Sequence, residues 1–347
     1  MFKIIVKKFG GEALKNIENI NKIANIIKKN SLEKKIIVVV SAPKNFTDLL
    51  YKISKQNIYK KEEKNVLLSC GEQISSSILS GVLNKMKVKS TSLQGWQVPI
   101  FVNKNMEIEY IYKRKIKNLF KKNNVIVISG FQGVDKKGNI KILNRGDSDT
   151  SAVFLANIFK SKCFFYKDTD GIYQTDPKLI KTKKIKNIYI KDLIEISSLG
   201  SKILSLNSVK KIIKNKLTVN VLSFKNMKKT KIIYKKKNNN FLIIKEENLF
   251  RINYLKTKII NNIDMIKLTK KNIYFTTNLN LNLKRKKIYK VSVLGYNIKI
   301  KVIKILLNIK KYIYKNIINS LENKFSFLIK KNNKKIVLKK ITKIFKK

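Results

Sequence analysis

Apolar positions along this chain follow two different periods. Short apolar runs, β-branched or aromatic, at Phe2–Lys8, Lys35–Val40, Val125–Ser129 and Cys163–Tyr166 read as buried strands. Between them, apolar residues return every three or four positions over Ala13–Lys29, Glu62–Lys85, Ser148–Phe159 and Ser201–Lys216. That is the spacing of helices with one apolar face. Val66, Ile74, Ile78 and Leu83 carry the period in the second of these, and Asp147 or Ser148 stands where a cap would open the third. Strands alternating with helices over roughly 220 residues predict an α/β fold whose parallel sheet is covered on both faces.

The pattern changes near Lys228, where Ile-rich and Lys/Asn-rich stretches begin to alternate. Within this tail, Tyr289–Tyr296, a helix-like Val302–Ile318, Phe325–Lys330 and a helix-like Lys335–Phe345 form a βαβ-like series. No apolar run approaches the ~20 residues needed to cross a bilayer. The opening MFKIIVKKFGG has too short an apolar stretch for a secretory leader. A soluble, cytoplasmic protein is expected.

Composition narrows the chemistry. The 347 residues suffice for a large domain and a smaller one, and a 44% hydrophobic content argues against disorder. There is no histidine, which excludes a Ser-His-Asp triad. Two cysteines, Cys70 and Cys163, imply neither a disulfide framework nor a structural zinc site. Lys and Arg number 78 against 21 acidic residues, a formal charge of +57. The lysines are spread through nearly every segment rather than gathered in one stripe with interleaved aromatics. Together with abundant Asn and Ile they read as A/T-rich coding, so nucleic-acid binding is not the expected function. The charge still attracts anions, screened over about 8 Å at physiological salt. Against this lysine background Arg145 stands out, because an arginine kept where lysine is the default cation points to a need for its planar fork.

Five motifs occur in order: KKFGG from Lys7, SCGEQIS from Ser69, SGFQGV from Ser129, NRGDSDTSA from Asn144 and KDTDGIYQTDPK from Lys167; GSKIL from Gly200 adds a sixth. Taken singly, each has an ordinary structural explanation. Gly10-Gly11 after a strand could be a plain turn, or a place where backbone N–H groups approach phosphate oxygens ahead of a helix. Glu72 near a helix start could simply favour the dipole. Asp170-Gly171 could be a tight turn. No G-x-x-x-x-G-K-[ST] string occurs, and without histidine the H-R-D signature of protein kinases is impossible.

Together, in this order, the motifs resemble those of the aspartate kinases, amino-acid kinases that carry C-terminal ACT-like domains. The resemblance is strong over residues 1–230 and faint beyond. It implies an open αβα sandwich with a mainly parallel sheet over residues 1–230, then a small α+β ACT-like regulatory or dimerisation region over residues 231–347. Within that region Phe241–Lys286 looks like an eroded first copy. The implied activity is ATP-dependent phosphorylation of the L-aspartate side-chain carboxylate to 4-phospho-L-aspartate, the first step toward lysine, threonine and methionine. The acceptor is already ionised at neutral pH, so no general base is required.

The resemblance also assigns residues. Lys8 and Asp149 would serve the reacting phosphoryl group. Thr47, Glu72, Arg145 and Ser148 would hold aspartate, with Glu72 on the α-ammonium and Arg145 on the α-carboxylate. Lys8, Phe9, Gly10, Gly11, Ser41, Lys167, Asp168, Tyr173, Lys178 and Lys202 would hold ATP. Mg²⁺ would bind through the nucleotide phosphates, with no protein metal site. A homodimer through the C-terminal region, with no membrane partner, is implied. Two departures matter. Glu12 and Ala13 replace the family's hydroxyl residues after Gly-Gly, and Asp147 replaces a glycine, setting a charge beside an anionic substrate. The remaining alternatives are a kinase for glutamate or acetylglutamate, a catalytically inactive subunit, and a basic nucleic-acid-binding protein.

Overall fold

The four apolar runs lie side by side. The computed structural model describes residues 3–56, 60–144, 147–175, 181–198, 203–235, 242–253, 266–267, 273–276, 287–294, 305, 307–321 and 324–346. The chain divides into two compact units. One comprises Met1–Ile172, Lys186–Ser197 and Lys202–Tyr234; the other comprises Tyr173–Ile185, Ser198–Ser201 and Lys235–Lys347.

Up to Tyr234 the strands are β1 (Ile4–Phe9), β2 (Lys35–Val40), β3 (Ser90–Leu93), β4 (Ile100–Val102), β5 (Ile108–Ile111), β6 (Val125–Ser129), β7 (Gln132–Val134), β8 (Ile140–Ile142), β9 (Cys163–Lys167), β10 (Asn187–Tyr189), β11 (Val219–Ser223) and β12 (Lys229–Ile233). The helices are α1 (Ile17–Ser31), α2 (Phe46–Gln56), α3 (Lys61–Lys85), α4 (Lys113–Leu119), α5 (Ser148–Ile158), α6 (Ile190–Ser198) and α7 (Leu206–Lys214). Eight strands form one sheet in the order β10-β12-β11-β9-β1-β2-β6-β3. From β11 to β3 every neighbouring pair is parallel, and β11–β12 is antiparallel. A second sheet has the order β5-β4-β7-β8.

Period-two alternation explains how the main sheet is covered. Ile5 and Phe9 of β1, Ile36, Val38 and Val40 of β2 and Val125 and Val127 of β6 share one core cluster. Ile20, Ile23, Ala24 and Ile27 of α1 and Leu79 and Leu83 of α3 close over it. Helix α5 packs on β1, β2 and β9, and its residues Val153, Leu155 and Ala156 are fully buried. The mainly parallel αβα arrangement expected from the sequence is present.

Two helices start later than expected. The Ala13–Lys29 segment opens with a separate 3₁₀ turn at Gly11–Leu14, and α1 begins at Ile17 because the Asn16 side chain accepts the Asn19 N–H at 3.0 Å. Likewise α7 begins at Leu206, where Ser205 accepts the Ser208 N–H; Ser201 and Lys202 lie outside the described residues. The expectation that no stretch is long and apolar enough to cross a bilayer also needs correction. Helix α3 passes that test by length and composition. Half of the window is buried within the protein, against α1, α2, β3 and β6, as in the core helix of a globular unit.

In the other unit, β13 (Leu242–Asn253), β14 (Ile266–Lys267), β15 (Ile273–Thr276), β16 (Lys287–Leu294), β17 (Ile313–Leu321) and β18 (Lys324–Lys330) form a sheet ordered β14-β15-β13-β16-β18-β17. Helix α8 (Lys334–Lys346) follows. Val291, Val293, Phe325, Phe327 and Ile329 pack with Val337, Leu338 and Ile341. The helix-like reading of Val302–Ile318 fails in its second half: Ile313–Ile318 is strand, paired antiparallel with β18. Its β-branched isoleucines suit a pleated surface with a neighbour to pair with, and that tertiary partner outweighs the helical spacing.

Candidate active site

Four strand ends meet at one edge of the main sheet. Lys8, Ser41 and Lys167 lie at the carboxyl ends of β1, β2 and β9 or just beyond them, and these are spatial neighbours in the order β9-β1-β2. Strand β6, next in line, ends at Ser129. Ligands of open parallel sheets bind at such carboxyl edges, where loops diverge and helix N-termini converge.

At the centre, Lys8 Nζ is 2.5 Å from Asp149 Oδ1, and Lys167 Nζ is 3.4 Å from Asp149 Oδ2. Lys8 and Asp149 are 3% and 4% exposed, which makes this an almost dry three-charge cluster. Burial alone would raise the Asp149 carboxyl, but Lys167 and Lys8 outweigh it and hold the group below the usual carboxylate range. Burial pulls the Lys8 ammonium down, partly offset by Asp149. One carboxylate therefore restrains two cations that carry more positive charge than it neutralises.

Glu72 stands on α3 and is also buried, at 3% exposure. Its Oε1 accepts the Ala42 N–H at 2.9 Å, while its buried Oε2 has no hydrogen-bond partner among the described residues. Burial raises this carboxyl to about 7, against the opposing Ala42 N–H and the more distant Lys8. A buried acceptor left open in this way suits an incoming cationic donor. The approach of α3 requires glycine at position 71, where a Cβ would come within 2.6 Å of the Ala42 Cβ. Below Glu72, the Ser129 hydroxyl lies 3.1 Å from the Glu72 carbonyl and 2.6 Å from Gln94 Oε1, anchoring that turn of α3 to β6.

Ser41 and Ser148 are joined by a 2.9 Å hydroxyl–hydroxyl hydrogen bond. Gly130 makes the close approach of α5 possible, since a Cβ there would meet the Val40 carbonyl at 2.9 Å and Ser148 Cβ at 3.0 Å. Gly11 is held between the first two loops. Its carbonyl accepts the Lys44 N–H at 3.1 Å, and an added Cβ would lie 2.8 Å from the Ala42 carbonyl. Glu12 points away from the cluster into ion pairs with Lys44 at 2.6 Å and Lys15 at 3.2 Å.

The other predicted residues divide. The Phe9 side chain is in the core, stacked on Tyr166 with ring centroids 4.5 Å apart, so only its backbone is free to meet a ligand. Thr47 lies half-buried in the first turn of α2, and Asp168 is exposed just past β9. Gly10 has room around it, with Tyr166 O and Lys8 Nζ at 3.9 and 4.0 Å from an added Cβ. Tyr173 belongs to the other unit, where it forms a β-bridge with Lys184. Arg145, Lys178 and Lys202 lie outside the described residues. Sequence reasoning missed the Ala42 N–H that orients Glu72, and no side-chain pattern could have revealed a backbone donor. An open cleft of about 530 Å³ around α4, lined by Pro99, Tyr112 and Arg114, shares no residue with this cluster.

The chain is similar to known proteins in sequence and in fold. Residues 3–223 match the model of the amino acid kinase family. An aspartokinase of Geobacillus stearothermophilus is 39% identical over 214 residues, covering 59% of this chain and 53% of its own length. One of Rickettsia felis is 36% identical over 231 residues, covering 63% and 58%. The matched part thus spans little more than half of these relatives. The fold resembles that of E. coli aspartokinase III solved in complex with aspartate and ADP, with a TM-score of 0.77, 16% identity, and coverage of 99% of this chain and 100% of that one.

Proposed function

Because this chain belongs to the amino acid kinase family, we propose that it transfers the γ-phosphoryl group of ATP to the side-chain carboxylate of L-aspartate, giving 4-phospho-L-aspartate. The observation that carries the proposal is the buried Lys8–Asp149–Lys167 cluster at the carboxyl edge of the sheet, accompanied by the uncommitted oxygen of Glu72. Phosphoryl transfer asks a protein chiefly for positioning and for cations along a charge-spread transition state. Lys8 and Lys167 supply the cations, and Asp149 aims them before the nucleotide arrives.

On our reading, Glu72 Oε2 takes the α-ammonium of aspartate, Arg145 its α-carboxylate in a two-pronged contact, and Ser148 and Thr47 orient the substrate. Backbone groups of Phe9, Gly10 and Gly11, the Ser41 hydroxyl, Asp168, Tyr173, Lys178 and Lys202 serve the nucleotide. Among the described residues no three acidic, histidine or cysteine side chains gather into a metal site. We assign Mg²⁺ to the nucleotide phosphates, where it would offset their charge. Lys8 exchanges Asp149 for a phosphoryl oxygen as the reaction begins. The attacking carboxylate needs no base.

We assign catalysis to residues 1–230 and a reduced ACT-like, dimer-forming role to residues 231–347, in a cytoplasmic homodimer. A coupled ADP-release assay with and without L-aspartate tests the activity. Release that depends on aspartate, and is absent with glutamate or acetylglutamate, is expected. ADP release indifferent to aspartate would remove the proposal.

A further inference from the structure

We propose that Asp147, which stands where the aspartate kinases resembled in sequence have glycine, is a positioning residue. Its carboxylate ties the N-terminus of α5 to the N-terminus of α7, and so holds Ser148 and Asp149 in register with Ser41 and Lys8. The inference rests on the phosphoryl-transfer reading above.

The backbone at Asp147 has φ −87° and ψ 13°, which any residue adopts, so nothing in the local conformation demands glycine. Its side chain is buried, with 4% exposure, and does not turn toward the charged cluster. Oδ1 accepts from the Thr150 hydroxyl at 2.9 Å and from the Ser205 hydroxyl at 3.1 Å, and Oδ2 accepts from the Asn207 amide at 3.2 Å. The three donors come from two helices. Thr150 is in the first turn of α5, Ser205 caps α7, and Asn207 is in the first turn of α7.

Two helix N-termini carry partial positive charge, which favours a carboxylate between them, and its hydrogen bonds run to side chains at both ends. The residues that follow Asp147 are the ones the chemistry uses. Ser148 meets Ser41, and Asp149 pairs with Lys8 and Lys167. A carboxylate introduced beside an anionic substrate would ordinarily repel it. Here both oxygens are spent on neutral donors facing away, and the added charge becomes an anchor. A glycine at this position would remove the side-chain tie between α5 and α7, leaving the first turn of α5 positioned only by the contacts of Ser148 and Asp149 themselves. Displacement of a catalytic group by about 1 Å is enough to lower a rate about a hundredfold.

The experiment compares Asp147→Gly, Asp147→Asn, Asn207→Ala and the Asp147→Gly/Asn207→Ala double variant in the full chain, by thermal melting and by steady-state kinetics; Asn207 is chosen over Ser205 because Ser205 also caps α7 through the Ser208 N–H. Asp147→Gly should lower kcat about tenfold to a hundredfold with KM for aspartate nearly unchanged. Asp147→Asn keeps an acceptor for Thr150 and Ser205 and should restore kcat to within about threefold. The double variant should be no worse than Asp147→Gly alone, because both changes break one tie. Wild-type kcat in Asp147→Gly would overturn the inference. So would equal lowering of KM for aspartate by Gly and Asn, which would mark Asp147 as a repulsive charge. The melts read the tie without substrate. If wild type releases no aspartate-dependent ADP, the kinase reading fails by itself, whereas additive shifts of Tm in the double variant overturn the tie.

Discussion

Strand β1 carries two adjacent lysines on opposite faces, and both are buried, Lys7 at 1% and Lys8 at 3% exposure. On one face, Lys8 meets a carboxylate that also holds Lys167. On the other, Lys7 shares the core face with Ile5 and Phe9 and donates to the Tyr166 hydroxyl at 2.8 Å, its Nζ 5.0 Å from the ring centroid. Burial lowers the Lys7 ammonium to about 7, with Lys34 adding to the effect, and raises the Tyr166 hydroxyl. A phenol tolerates a neutral amine; a carboxylate flanked by two cations maintains a charged site. Burial of a lysine is therefore not what marks the site. The carboxylate partner is.

The sharpest way to break this comparison is to remove each amine in turn. Lys8→Met should lower kcat by about 10³-fold, the scale of losing a principal charge-stabilising donor, while Lys7→Met stays within about threefold of wild type in the same assay. Equal losses would show that the two faces are not functionally distinct. Next in size, Arg145→Lys should raise the barrier by about 2–4 kcal/mol, a 10²–10³-fold fall in kcat/KM, because an ammonium cannot reproduce the two-pronged contact.

A smaller effect concerns Glu72. Its carboxyl titrates near 7, and only the ionised form pairs with an ammonium. KM for aspartate should fall about tenfold between pH 6 and pH 8 in wild type and stay flat in Glu72→Gln. Without substrate the sign reverses. Ionising a carboxyl whose folded pKa is raised lowers stability as pH climbs from about 4.5 through about 7, so Glu72→Gln should melt above wild type at pH 8 and alike at pH 4.

The smallest effect is expected from Lys7→Met in melting experiments. A depressed amine penalises the fold fully below about 7, and the penalty fades as pH rises toward 10.5. The variant should gain Tm at pH 6 and lose that gain near pH 10; a gain independent of pH would assign it to packing instead.

Much of this was legible in the sequence. The apolar runs placed β1, β2, β6 and β9, and the resemblance grouped Lys8 with Asp149, which the structure brings into contact. The pairing of Lys7 with Tyr166 was not legible, since nothing local links residues 159 positions apart. Strand alternation does put Lys7 opposite Lys8, which was the available clue. Asp147 read as an added charge near the substrate because its partners, Ser205 and Asn207, arrive from a distant helix. Ile313–Ile318 was misread because isoleucines spaced three or four apart serve either structure, and only the β18 neighbour decides between them.

The place of β1 in the sheet also bears on how the protein is made. Its neighbour β9 pairs Cys163 with Val6, so that edge of β1 stays open until more than 150 further residues have left the ribosome. At about 5–20 residues per second this lasts roughly 10–30 s. An unpaired apolar ribbon is prone to join the ribbon of another nascent chain, and lysines discourage such encounters. Before folding, Lys7 and Lys8 place a full positive charge on each face of Ile4–Phe9, so the amine that burdens the finished core guards the strand during synthesis.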